Sequence, residues 1–142
     1  MKRTQNYTGS LRYLHAYPDG LHTLVVGIPC VLGNLRDQDV ALLDTAAEWC
    51  VLRPDIAEAL GYPESTDGPP AQLTTRLGLF TGTLERIQVT FPAVDGGDLA
   101  VEATWFVSTD WPGPLVLGWT GCLERFRFAL DSSDETFYFG EF

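Results

Sequence analysis

Val40-Ala41-Leu42-Leu43-Asp44-Thr45-Ala46-Ala47-Glu48-Trp49-Cys50-Val51-Leu52 is the stretch on which the reading of this chain turns. Its first four residues are wholly apolar, which predicts a short strand buried on both faces. That strand delivers the chain to Asp44. A carboxylate at the end of a buried strand is costly unless something hydrogen-bonds it. The small residues Thr45, Ala46 and Ala47 form a turn in which backbone N–H groups and the Thr45 hydroxyl can approach the acid. An aspartate that merely caps a turn would look the same locally. Asp-Thr-Ala alone is therefore unspecific, and its surroundings must decide.

Upstream, residues 21–32 read as a strand with Leu24, Val26 and Ile28 on one face, after a Pro18-Asp19-Gly20 turn. Gly33-Asn34-Leu35-Arg36-Asp37 reads as a hairpin loop. Downstream, Pro54 near a start, Asp55 in the first turn and Gly61 past the end predict one short helix. Residues 62–70 are rich in Pro, Gly, Ser and Asp and read as a loop within one domain. Residues 74–91 read as a hairpin whose second arm places Glu85, Ile87, Val89 and Phe91 on one side. Asp95-Gly96-Gly97-Asp98 is a turn, and Val101, Ala103, Trp105 and Val107 alternate along another strand. Pro112-Gly113-Pro114 breaks the chain before a second short buried run, Leu115-Val116-Leu117-Gly118. Residues 120–125 can form one or two helical turns, and residues 126–130 and 136–139 read as two further strands. These segments predict an all-β fold with one or two short helices.

The 142 residues fit one domain, and a hydrophobic fraction of 45% can form a core without disulfides or a metal. Residues 1–20 read as an N-terminal arm and 21–142 as the domain proper. The 14 glycines and 9 prolines are dispersed, which suits short strands and tight turns. A formal net charge of −10 repels a phosphate backbone, so no nucleic-acid partner is expected. No apolar run approaches the roughly 20 residues that a membrane-spanning helix needs. Charge at Lys2 and Arg3 is followed by no apolar h-region, so no secretory signal and no membrane partner are read. Cys30, Cys50 and Cys122 cannot all pair within one chain and match no zinc spacing. Buried, reduced thiols in a cytoplasmic protein are the expectation.

Taken in order, these motifs resemble the retropepsin-like aspartic proteases. The stretch from Val40 to Leu52 resembles the family's active-site segment, an apolar run followed by Asp-Thr/Ser-Gly-Ala. Leu115-Val116-Leu117-Gly118 resembles the apolar-apolar-Gly motif, and Cys122 to Phe128 the short helix and strand after it. Leu77-Gly78-Leu79-Phe80-Thr81-Gly82 looks like the flap. The resemblance covers roughly residues 21–139. It implies a closed, single-lobe acid-protease-type β-barrel that dimerises. It also implies an aspartic-type endopeptidase acting on a peptide or protein substrate, without cofactor or metal. Asp44, Thr45 and Ala46 would be the catalytic turn. Gly78, Leu79, Phe80, Thr81 and Gly82 would be the substrate-binding flap. The chain has one such aspartate, so Asp44 of a second copy would complete a dyad in a homodimer. Thr45 would hydrogen-bond across the dimer axis. Ala46 stands where the family usually has glycine, which implies a working or weakened site. The alternative function on the same fold is a non-catalytic peptide-binding or scaffolding module.

Other residues carry less. Asp110 lies in a turn with no buried run ending on it. Cys50 has no histidine near it in sequence, and His15 and His22 match no metal spacing. The Trp and Phe residues read as core. Glu124, Arg125 and Arg127 read as a solvated face.

Overall fold

The computed structural model describes residues 6–17, 20–62 and 67–142. Pro18 and Asp19 of the expected turn, residues 63–66 of the expected loop and the Leu24 side chain lie outside the described residues. The chain runs β1 (Gly9–Arg12), β2 (Leu14–Ala16), β3 (Thr23–Leu32), β4 (Asp39–Leu43), β5 (Cys50–Leu52) and α1 (Pro54–Ala59). It continues with β6 (Pro70–Thr75), β7 (Gly78–Phe91), β8 (Asp95–Gly96), β9 (Leu99–Val107) and β10 (Val116–Leu117). A 3₁₀ turn at Leu123–Arg125 precedes β11 (Arg127–Asp131) and β12 (Thr136–Gly140). The fold is mostly β, as the sequence predicts.

Eight strands follow the order β2-β3-β4-β10-β5-β9-β7-β6, and a further β3–β7 pairing joins Val31 to Thr90 and Leu32 to Val89. The pairings thus run in a ring: β3, β4, β10, β5, β9, β7 and back to β3. A separate four-stranded sheet has the order β11-β12-β1-β8. The N-terminal segment contributes to this second sheet, with Gly9 opposite Phe139 and Leu11 opposite Phe137. Leu11 and Tyr13 are buried in the core.

Long alternating strands supply most of that core. Glu85, Ile87, Val89 and Phe91 share the buried face of β7, and Val101, Ala103, Trp105 and Val107 that of β9. Trp105 is fully buried, and its Nε1–H donates to the Ile87 carbonyl at 3.1 Å, which satisfies its one polar group. Phe91, Phe126, Phe137 and Phe139 cluster between the two sheets with ring centroids 5.2–6.5 Å apart.

Two expectations are corrected. The 40–43 run is not buried on both faces. Its Ala41/Leu43 face meets the core, but Val40 and Leu42 are half-buried, and Val40 borders an open hollow. The hairpin expected from residue 74 begins at Pro70, because proline is tolerated as the first residue of an edge strand. The turn expected at residues 95–98 also carries pairing: Asp95 and Gly96 bridge to β1.

Arg53 sits just before α1, whose first position is Pro54. Its guanidinium donates to Asp55 at 2.6 and 3.1 Å and reaches Asp39 at 3.5 Å. The bonds from Arg53 hold the Asp55 carboxyl below the usual carboxylate range. Asp39 moves the other way: burial raises it, Asp55 and Asp37 add to the rise, and Arg53 offsets only part. A carboxyl raised in the folded state favours folding below its unfolded pKa and loses that advantage as pH rises through its folded value. Asp39→Asn is therefore expected to raise the melting temperature at pH 7. The gain should vanish near pH 3, which thermal melts at the two pH values check.

Candidate active site

β4 and β5 are consecutive in sequence, yet β10 lies between them. Val116 and Leu117 pair in parallel with Leu42 and Leu43, and Val116 pairs antiparallel with Val51. The connection from Asp44 to Trp49 must therefore arch over the end of β10. Asp44 N–H donates to the Leu117 carbonyl at 3.0 Å. Within the arch, Ala46 N–H donates to Asp44 Oδ1 at 3.0 Å and Ala47 N–H to the Asp44 carbonyl at 3.2 Å. On its far side, Trp119 N–H donates to the Ala47 carbonyl at 2.8 Å and Thr120 N–H to the Glu48 carbonyl at 2.7 Å. β10 and the residues after it thus hold the arch at both ends. Asp44 is half-buried, and Thr45 and Ala46 are exposed.

Gly118 makes this closeness possible. A Cβ there would lie 2.2 Å from the Trp49 carbonyl oxygen and 2.9 Å from the Cys50 nitrogen. Gly118 N–H turns to Cys50 Sγ at 3.4 Å. The Trp49 ring stacks on Phe106 with centroids 6.3 Å apart. Ala46 carries no strain where glycine was the expected residue: among the described residues, Glu135 alone has positive φ outside glycine.

A cleft of about 460 Å³ opens above the arch. Asp44, Ala46, Ala47 and Glu48 form its floor, Gln72, Leu73, Thr74 and Thr75 of β6 one wall, and Val51, Trp111 and Val116 its apolar flank. Trp111 is fixed by an Nε1–H bond to the Pro114 carbonyl at 2.8 Å and by the Phe80 ring standing edge-on at 5.3 Å. Leu73, Phe80 and Leu84 pack with Val51, Phe106, Trp111 and Val116 in a small apolar cluster between arch and hairpin. A larger hollow of about 580 Å³, bounded by Tyr17, Arg53 and the 112–114 loop, contains no residue of the Asp44 turn. Size alone does not mark the site.

The five residues expected as the flap, Gly78, Leu79, Phe80, Thr81 and Gly82, all lie on β7, the second strand of the hairpin, and none lines the cleft. The tip is Arg76-Leu77, and the strand facing Asp44 is β6. Sequence reasoning missed Gln72, Leu73, Trp111 and Glu48 as cleft residues. For Gln72 and Leu73 the one local signal was apolar Ala71 and Leu73 alternating with polar Gln72 and Thr74; Glu48 and Trp111 had none.

The rivals do not assemble a site. Cys30, Cys50 and Cys122 are free and buried. Burial pushes the Cys30 thiol up, and a bond to Cys50 followed by burial pushes up that of Cys122, so neither is poised as a thiolate. Asp110, Glu124, Arg125 and Arg127 are exposed. Among the described residues no cluster of His, Cys, Asp and Glu could hold a metal, and no helix is long and apolar enough to cross a membrane.

No protein-family model matches the chain, and no curated protein matches it in sequence. Among solved structures, the crystal structure of a retropepsin-like aspartic protease from Rickettsia conorii superposes with a TM-score of 0.58. That match covers 92% of this chain and 98% of the other at 20% identity. The fold is retropepsin-like. The superposition spans nearly the whole chain, so it takes in both the arch over β10 and the hairpin above it. The family resemblance read from the sequence agrees with this fold.

Proposed function

We propose that the chain is one subunit of a homodimeric aspartic-type endopeptidase in which Asp44 of two copies forms the catalytic dyad. The observation that carries this reading is the half-buried Asp44, set by backbone bonds at the floor of a cleft that an extended strand walls. The ring of six strands is read as the acid-protease-type barrel. Three buried free thiols accord with a reducing compartment such as the cytoplasm.

In the proposed dimer two carboxyls sit about 3 Å apart and share one proton, since like charges that close cannot both ionise. The ionised member takes a proton from a water held between them, and the water oxygen attacks the scissile carbonyl carbon. The protonated member donates to the carbonyl oxygen. Proton return to the amide nitrogen then breaks the C–N bond. Thr45, exposed beside Asp44, would hydrogen-bond its counterpart across the axis. The free edge of β6 offers an extended peptide backbone partners, and Leu73 and Trp111 offer apolar contact. Gly78 to Gly82 support that wall from behind.

Cleavage of a mixed peptide library, with sedimentation of the same sample, tests the reading. Specific internal cuts whose rate falls as dimer dissociates support it. Binding of peptides without any cut would leave the non-catalytic module instead, and a strictly monomeric peptidase would exclude the dyad. Ala46→Gly is expected to change the cleavage rate less than about threefold and to lower stability by about 0.5–1 kcal/mol, because alanine already fits the turn and restricts the unfolded chain. Progress curves and denaturant melts read the two effects.

A further inference from the structure

Glu85 is a carboxylate on the apolar face of β7, in line with Ile87, Val89 and Phe91, and is only 6% exposed. A charge in that position is costly unless donors are aimed at it. Two are. Asp67 N–H donates to Oε1 at 3.2 Å, and Gly68 N–H reaches both oxygens at 3.2 and 3.1 Å. Gly68 is pressed so close that a Cβ there would lie 1.7 Å from the Leu84 carbonyl oxygen and 2.8 Å from Glu85 Oε2. Next to it, Leu84 N–H donates to the Pro69 carbonyl at 3.0 Å.

This clasp sits where the hairpin leaves the body. The last pair between β7 and β9 is Thr83 with Val107, and the first pair between β6 and β7 is Pro70 with Thr83. Beyond that joint each arm of the hairpin pairs only with the other. Thr83 Oγ1 is also, among the described residues, a buried side-chain oxygen with no hydrogen-bond partner. The joint is therefore tied through Glu85 and carries one unsatisfied polar group, Thr83 Oγ1, two residues before it on the same strand.

We infer that Glu85 is a positioning residue: its clasp on the Asp67 and Gly68 amides anchors the root of the β6–β7 arm and sets the height of β6 above Asp44. Its effect on catalysis rests on the function proposed above; its effect on the arm does not. Hydrogen exchange read by mass spectrometry tests the clasp directly. In the unchanged protein the Asp67 and Gly68 amides should exchange at least about tenfold more slowly than the exposed tip amides at Arg76 and Leu77. Equal rates would overturn the inference without any variant being made. In Glu85→Gln, which keeps the shape but loses the charge, exchange over residues 67–75 should rise about tenfold or more, with residues 99–107 unchanged. Gly68→Ala should give the same local pattern from the other side. A rise spread evenly over the chain, or none, overturns the inference. Against a peptide substrate, Glu85→Gln should raise KM severalfold with kcat nearly unchanged. Faster exchange in a chain that cleaves nothing would keep the clasp and remove the proposed function. Unchanged exchange and unchanged KM in an active enzyme would do the reverse.

Discussion

Asp44→Asn is expected to lower the proposed peptide hydrolysis by about 10³-fold or more, because an amide neither takes a proton from water nor gives one to the carbonyl oxygen. The fold should survive the change. The bond that Asp44 accepts from Ala46 N–H needs only an oxygen, and the other bonds of the arch are made by backbone atoms. Stability should therefore shift by no more than about 1 kcal/mol. Mixing wild-type and variant chains adds a second test. If each active site takes one aspartate from either copy, an equal mixture leaves roughly one quarter of the pairs wholly wild-type. Activity should fall with the square of the wild-type fraction. Activity proportional to that fraction would place the whole site within one chain. Undiminished cleavage by the pure variant would remove Asp44 from the chemistry.

Gly118→Ala is expected to cost about 3 kcal/mol and to lower the melting temperature by roughly 10 °C. The added methyl would lie 2.2 Å from the Trp49 carbonyl oxygen and 2.3 Å from its carbon, and those neighbours are backbone atoms with no side chain to swing away. β10 cannot retreat, since it is paired on both edges. The arch would have to lift, carrying Asp44 with it, so activity should fall further than stability alone accounts for. Gly97→Ala is the matched control, because nothing lies within 4 Å of a Cβ there. Equal melting temperatures for the two variants would show that the arch does not depend on close approach at Gly118.

Much of this was legible in the sequence for physical reasons. β7 and β9 are long enough for period-two alternation to declare itself, and even the buried Glu85 fell on the right face. α1 was bracketed by Pro54 at its start and Gly61, which adopts φ +94°, past its end. Asp44 stood out because an apolar run ending on an acid is costly. What escaped is non-local. Nothing within Val116–Leu117 says that two residues will wedge between β4 and β5, since so short a strand has no period. β6 was hidden by Pro69 and Pro70, which read as loop. Gly78 to Gly82 were read as the flap, and Gln72 to Thr75, which line the cleft, went unnamed. Trp111 is core, as read, but its place beside the cleft depends on the Pro112-Gly113-Pro114 bend folding the ring back. The partner of Glu85 was invisible because the Asp67 and Gly68 amides leave no trace in side-chain type.

The wedge of β10 also governs when the site can exist during synthesis. A growing polypeptide displays Asp44 early, but the strand and the following residues that brace its arch, Val116 to Thr120, are made much later. Until Trp119 and Thr120 arrive, the Ala47 and Glu48 carbonyls lack their donors and the acid has no fixed direction. A copy cut short before Trp119 would therefore carry Asp44 on an arch without its braces.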